Sequence, residues 1–298
     1  MQNRRDFIKQ ASMLIAGGIA VPQILSSCGG GSSSSSSAAP AKYLGLQLYS
    51  LREMEKDFGI QKVLESAAKM GYNSLETASY TNGKLYGMDP AELKKMASDL
   101  GMKLTSSHLS RNISGDKDAD MAWWNQATEA HNEAGMKYMV VPMGPFQGDG
   151  ANYDNVKRYC DYFNEIALIT AGAGITFGYH NHAFEFENKI DDVPIYDIML
   201  ANTSPRHVMF ELDVYWIKRG GYDPVEYMKK YADQIKILHI KDEKAIGVHN
   251  VVDFKAVYDQ AYANGIKDWY VEVEAYDGTP EEDVKKSADY LLNADFVK

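Results

Sequence analysis

The chain is poor in cysteine, with only Cys28 and Cys160 in 298 residues. A disulfide framework is excluded for its larger part, because Cys160 stands in a helical pattern with no second thiol nearby and reads as a packing residue. Also missing is an apolar run fit to cross a bilayer: the stretch from Ala11 to Ile24 falls short of the ~20 residues a spanning helix needs. Positive charge is not in excess. The formal net charge is −10, and it becomes −12 once the leader is set aside, where Arg4, Arg5 and Lys9 outweigh Asp6 by two. That balance is unsuited to phosphate backbones, so no nucleic-acid partner is expected. No Gly-x-Gly-x-x-Gly follows the first strand pattern, which removes the main support for a dinucleotide-binding open sheet.

What is present divides into three parts. Over residues 1–28, Asn3-Arg4-Arg5-Asp6-Phe7-Ile8-Lys9 resembles a twin-arginine export motif, and Leu25-Ser26-Ser27-Cys28 resembles a bacterial lipobox. The expectation is an exported lipoprotein, acylated at Cys28 and held to a membrane by lipid rather than by a spanning helix. Residues 29–42, with serines from 32 to 37, read as a flexible tether. Residues 43–298 form the folded part, and their number, 256, suits one eight-fold barrel.

In that part, strand patterns at 43–49, 73–76, 103–107, 138–141, 175–180, 207–213, 235–240 and 269–273 alternate with amphipathic helical stretches. The helices are predicted near 59–70, 90–100, 119–135, 153–172, 193–201, 223–232, 253–264 and 280–293. Gly71, Gly101, Gly135, Gly174 and Gly265 each follow a helix and precede a strand, where a left-handed cap is needed. Eight strands alternating with eight helices predict a single α/β domain, a (β/α)8 TIM barrel. In such barrels, catalytic side chains stand at the C-terminal strand ends.

Four consecutive strand ends then carry the chemistry: Tyr179-His180-Asn181-His182-Ala183-Phe184-Glu185, Phe210-Glu211-Leu212-Asp213, His239-Ile240-Lys241-Asp242 and Val271-Glu272-Val273-Glu274. Three carboxylates and an imidazole suit one divalent ion such as Mn2+, Mg2+, Co2+ or Zn2+. These segments, with Gly45-Leu46-Gln47-Leu48-Tyr49-Ser50-Leu51-Arg52, resemble the sugar phosphate isomerase/epimerase, or xylose isomerase-like, TIM-barrel superfamily across the whole folded part. Carried over by that resemblance, the metal ligands fall on Glu185, Asp213, His239 and Glu272, with His180 or His182 as alternatives to Glu185. The gaps of 28, 26 and 33 residues each correspond to about one β/α unit. Glu272 and Glu274 share a face of the strand, and the Val-Glu-x-acid spacing favours Glu272. Glu185, Glu272 and Lys241 are the candidate catalytic residues, although Lys241 also suits a rim ion pair with Asp242 or Glu243. Candidate substrate contacts are His108, His182, Glu76, Trp216 and Gln47; for Trp216, packing is the equal alternative.

The superfamily also holds three-zinc endonucleases, which need a histidine where this chain has Trp216 and a downstream Asp-x-His that Asp242-Glu243-Lys244 does not supply. DNA repair is therefore not expected. The resemblance implies an enediolate formed from a sugar or keto-sugar by proton removal beside a carbonyl, with one of Glu185 and Glu272 as base and the other as acid. Epimerisation, isomerisation, dehydration and hydration share that intermediate. An isomerase or epimerase of a free sugar or keto-sugar is the leading expectation, and a lyase, dehydratase or hydratase on a keto-sugar or cyclitol is second. A non-catalytic sugar-binding lipoprotein is third.

Overall fold

The computed structural model describes residues 42–298. The leader over 1–28, Cys28 and the tether before Lys42 lie outside them. Eight parallel strands close into a barrel: β1 (Gly45–Gln47), β2 (Ser74–Thr77), β3 (Lys103–His108), β4 (Tyr138–Val141), β5 (Thr176–His180), β6 (Val208–Asp213), β7 (Ile235–Lys241) and β8 (Asp268–Glu272). Neighbours pair in chain order, and β1 closes the ring against β8. The main covering helices are α1 (Ile60–Met70), α2 (Pro90–Asp99), α3 (Lys117–Ala134), α4 (Tyr153–Gly172), α5 (Ile195–Asn202), α6 (Pro224–Lys230), α7 (Phe254–Ala263) and α8 (Pro280–Asn293). This is the predicted (β/α)8 TIM barrel. Among the described residues, no helix is long and apolar enough to cross a membrane.

The element ends follow local hydrogen bonding. α8 opens on a capping box in which Thr279 and Glu282 satisfy each other's backbone N–H groups. Gly71 and Gly135 close α1 and α3 with φ of 96° and 81°, left-handed values that favour glycine. The first strand is shorter than the predicted 43–49. The Gln47 side-chain oxygen accepts the Tyr49 N–H and draws residues 48–51 into a 3-10 turn. Short helices not expected from the sequence run over Arg52–Phe58, Phe184–Glu187 and Val214–Arg219.

The apolar core lies almost wholly between barrel and helices. Inside the barrel, a separate small cluster holds Val140, Met209, Ile237 and Tyr270. Two glycines make room for it. A Cβ at Gly45 would stand 2.2 Å from the Trp269 carbonyl oxygen and 2.7 Å from the Tyr270 ring, and one at Gly178 would stand 2.7 Å from Met209 Cε. Above this plug the barrel interior is polar, and the apolar layer keeps that polar set at one end.

Gly45→Ala tests the packing of the plug. The added methyl meets a backbone oxygen that cannot swing away, so a loss of about 2 kcal/mol is expected in urea unfolding. An unchanged midpoint would contradict the close approach.

Candidate functional site

Side chains alternate along each strand, so every second residue enters the barrel. That alternation brings in Glu211 with Asp213 on β6, His239 with Lys241 on β7, and Glu272 on β8. Two register shifts fall at this level, between Leu75 and Glu76 and between Phe210 and Glu211. Bulges of this kind re-aim side chains beside functional sites.

The inner layer is a buried acid–imidazole network that meets the cavity only through His108 and His180. Glu76 Oε2 accepts Gln47 Nε2 at 2.7 Å and lies 2.6 Å from His239 Nε2, while Glu76 Oε1 accepts Ser106 Oγ at 2.6 Å. Glu211 Oε2 stands 2.7 Å from His108 Nε2, 3.2 Å from His180 Nδ1 and 3.3 Å from His239 Nε2. Burial works against the Glu76 charge, but His108 and His239 hold its pKa below the usual carboxylate range. Burial, reinforced by the nearby Glu76, raises Glu211 to about 7. Burial and the neighbouring imidazoles keep His180 neutral, whereas His239 is held well above the ordinary histidine value by Glu211 and Glu76 in spite of its burial.

The outer layer begins on the other face of His239. Its Nδ1 is 3.4 Å from Glu272 Oε2 and 3.9 Å from Asp213 Oδ2. Asp213 spends Oδ1 on the N–H groups of Tyr215 and Trp216, capping the helix that follows β6, and Asn181 pins its backbone N–H at 3.1 Å. Asp213 Oδ2 and His239 Nδ1 are buried without a hydrogen-bond partner. A buried unpaired polar atom costs roughly 1–3 kcal/mol, so these two facing each other mark a missing partner, a donor or a cation between them. Ligand atoms of His180, Asp213, His239 and Glu272 all lie within 4.8 Å of one another and could hold a metal ion. The donor set fits a hard or borderline divalent ion, and the carboxylate behind His239 is the usual support for a metal-bound imidazole.

A cavity of about 400 Å³ opens onto this layer. His108, His180, His182, Glu272 and Glu274 supply its polar floor, and Tyr49, Tyr80, Leu109, Trp123 and Met143 supply an apolar wall. Lys241 pairs with Glu272 at 2.9 Å and with Glu274, rather than with Asp242 or Glu243. Its Nζ stands 5.1 Å from the Trp216 ring centroid. Burial opposes ionisation of Glu272, yet Lys241 and His239 keep it well below the usual range.

Of the predicted ligands, Asp213, His239 and Glu272 are brought together, and His180 joins them. Glu185 does not. It is buried on the short helix after β5, where its two oxygens accept Tyr179 Oη at 2.6 Å and the His182 N–H at 2.8 Å. Burial raises it to about 8. Of the predicted substrate contacts, His108 and His182 line the cavity. Gln47 and Glu76 sit beneath it, and Trp216 lies behind Lys241 and 5.6 Å from His182. Glu211 was not singled out in the sequence, although the two-residue spacing from Asp213 was the available signal.

A family model described as xylose isomerase-like TIM barrel matches residues 64–294. Two curated relatives are inosose dehydratases. That from Geobacillus kaustophilus is 25% identical over 64% of this chain, but the chain spans only 63% of its length, just under two thirds. That from Lacticaseibacillus casei is 21% identical over 80% of this chain and 91% of its own. A crystal structure described as a sugar phosphate isomerase/epimerase from Parabacteroides distasonis is 38% identical, with TM-score 0.80, covering 86% of this chain and all of that one.

Glu185 gives the site a pH signature in the metal-free protein. Its folded pKa of about 8 exceeds the ordinary 4.5, so its stabilising contribution is full below 4.5 and is lost as pH rises toward 8. Glu185→Gln should therefore gain at least about 1 kcal/mol on the parent between pH 5 and pH 8, read by denaturant unfolding. A difference independent of pH would contradict the buried, protonated carboxyl.

Proposed function

The chain belongs to the xylose isomerase-like TIM barrel family, and on that premise we propose that it is a metal-dependent isomerase or epimerase of a free sugar or keto-sugar. The observation that carries the reading is the pair of unpartnered, buried ligand atoms, Asp213 Oδ2 and His239 Nδ1, which lie beside Glu272 beneath the floor of a cavity. Asp213, His239 and Glu272 would hold the ion, with His180 the fourth donor the geometry favours over Glu185. When bound, a divalent ion supplies Lewis acidity that polarises a sugar carbonyl and acidifies the adjacent C–H.

The chain's own residues then divide the work. Glu272, ionised and facing the cavity, removes the proton beside the carbonyl, and the sugar passes to an enediolate. Lys241 keeps that carboxylate charged and aimed, so it acts as a positioning residue. Glu76 fixes which nitrogen of His239 bears the proton and so leaves Nδ1 free. Glu185, hydrogen-bonded at both oxygens, holds His182 and Tyr179 in place rather than meeting the substrate.

Loss of a β-hydroxyl from the same enediolate is the second reading, a lyase or dehydratase on a keto-sugar or cyclitol. The inosose dehydratase relatives favour it. We also propose that the mature chain starts at Cys28, acylated and exported. A compartment outside the cytoplasm suits an unphosphorylated substrate.

The test is solvent exchange. Incubated in D2O with Mn2+, a panel of keto-sugars and inosose should contain a substrate that gains deuterium at the carbon beside the carbonyl. Glu272→Gln should lower that rate at least about 100-fold, within the range for a general base. Return of the sugar identifies an epimerase or isomerase, and loss of water identifies a dehydratase. Exchange that survives Glu272→Gln would overturn the assignment of the base, and binding without exchange would favour a sugar-binding protein.

A further inference from the structure

The cavity has more wall than one sugar ring on the polar floor would use, and that wall is uncharged. Tyr80 and Trp123 meet edge to face, with ring centroids 5.3 Å apart at 86°. Both are half-buried and braced from behind. Tyr80 packs on buried His131 at 5.2 Å and takes the Gly83 N–H on its hydroxyl, and Trp123 packs on Trp124 at 4.9 Å. Tyr49 and Met143, 44% and 49% exposed, border the same opening. Rigid aromatic faces beside solvent are what the apolar face of a second ring requires.

The charge of the opening points the same way. Neither lysine nor arginine lines the cavity. The nearby cations are already engaged. Lys241 is bound to Glu272 and Glu274. Arg52 holds the Tyr49 and Glu274 carbonyls and the Tyr276 hydroxyl, and Arg111 is paired with Asp120 at 2.7 Å. Two carboxylates, Glu272 and Glu274, face the space instead. A phosphorylated sugar whose ring reached the polar floor would leave its dianion along the wall, where no lysine or arginine receives it, at a cost in desolvation.

From this we infer that the Tyr80–Trp123 wall is an outer subsite for the ring substituent of an uncharged keto-glycoside, whose carbonyl-bearing ring occupies the polar floor. The inference rests on the sugar-processing reading above and adds the class of substrate. Two sources share the ligand chemistry, a second sugar ring and an aromatic aglycone, and both present a flat apolar face.

The experiment is calorimetric binding of D-glucose, phenyl β-D-glucoside, cellobiose and D-glucose 6-phosphate to the Mn2+-treated protein. Mn2+ content and deuterium exchange are recorded on the same preparation, so that failure of the metal reading is seen separately. At least one of the two glycosides should bind roughly five- to tenfold tighter than glucose, the range of one aromatic contact, and glucose 6-phosphate no tighter than glucose. Gain by phenyl glucoside alone identifies an aglycone subsite, and gain by cellobiose identifies a sugar subsite. Trp123→Ala and Tyr80→Ala should each shrink the ratio of glycoside to glucose affinity toward one with Mn2+ content unchanged. The inference is overturned if the glycosides bind no better than glucose or not at all. Tightest binding of glucose 6-phosphate, or a ratio that survives both substitutions, also overturns it.

Discussion

An imidazole with no solvent contact must find a partner for each ring nitrogen, and His239 is such an imidazole. On one side, Glu76 takes Nε2 and is itself fixed by Gln47 and Ser106. On the other side, Nδ1 looks toward Asp213 and Glu272 and forms no hydrogen bond. The rest of the site is arranged around this asymmetry. A carboxylate that saturates one nitrogen leaves the other directed at two more carboxylates, where a metal ion would take the place of its proton. That arrangement is costly to bury unless a cation completes it.

The scaffold makes the arrangement affordable. The polar layer rests on a small apolar plug of Val140, Met209, Ile237 and Tyr270, which fits because Gly45 and Gly178 have no side chains. Strand register then sets who meets whom. Asp213 lies opposite His239, and Lys241 lies opposite Glu272. Lys241 is thus delivered to Glu272 by the same pairing that closes the barrel, and the charge on Glu272 follows from topology as much as from local sequence.

Much of this was legible in the sequence. Eight strands and eight helices could be counted from periodicity and glycine caps, and the spacing of Asp213, His239 and Glu272 by one β/α unit placed them on successive strands of one rim. What was not legible depends on contacts between distant residues. Glu211 sits in a strand buried at all six positions, where a carboxylate gives no outward sign of whether it meets solvent, an ion pair or imidazoles. Glu185 lies in a loop whose path no repeat governs. There, four residues form a helix and turn its carboxyl back onto Tyr179 and the His182 backbone. Gln47 could be named as a polar strand residue, but its role beneath Glu76 rests on a contact 29 residues away. Strand ends follow from local periodicity, whereas loop directions and buried networks are settled only by the assembled barrel.

The most direct test of the account is a Mn2+ titration of the metal-stripped protein, with Asp213→Ala and His239→Ala alongside. The account predicts about one ion per chain in the parent protein and loss of that binding in both variants, with the variants still folded by circular dichroism. No saturable Mn2+, Co2+, Mg2+ or Zn2+ binding by the parent, or binding that survives both substitutions, would contradict it.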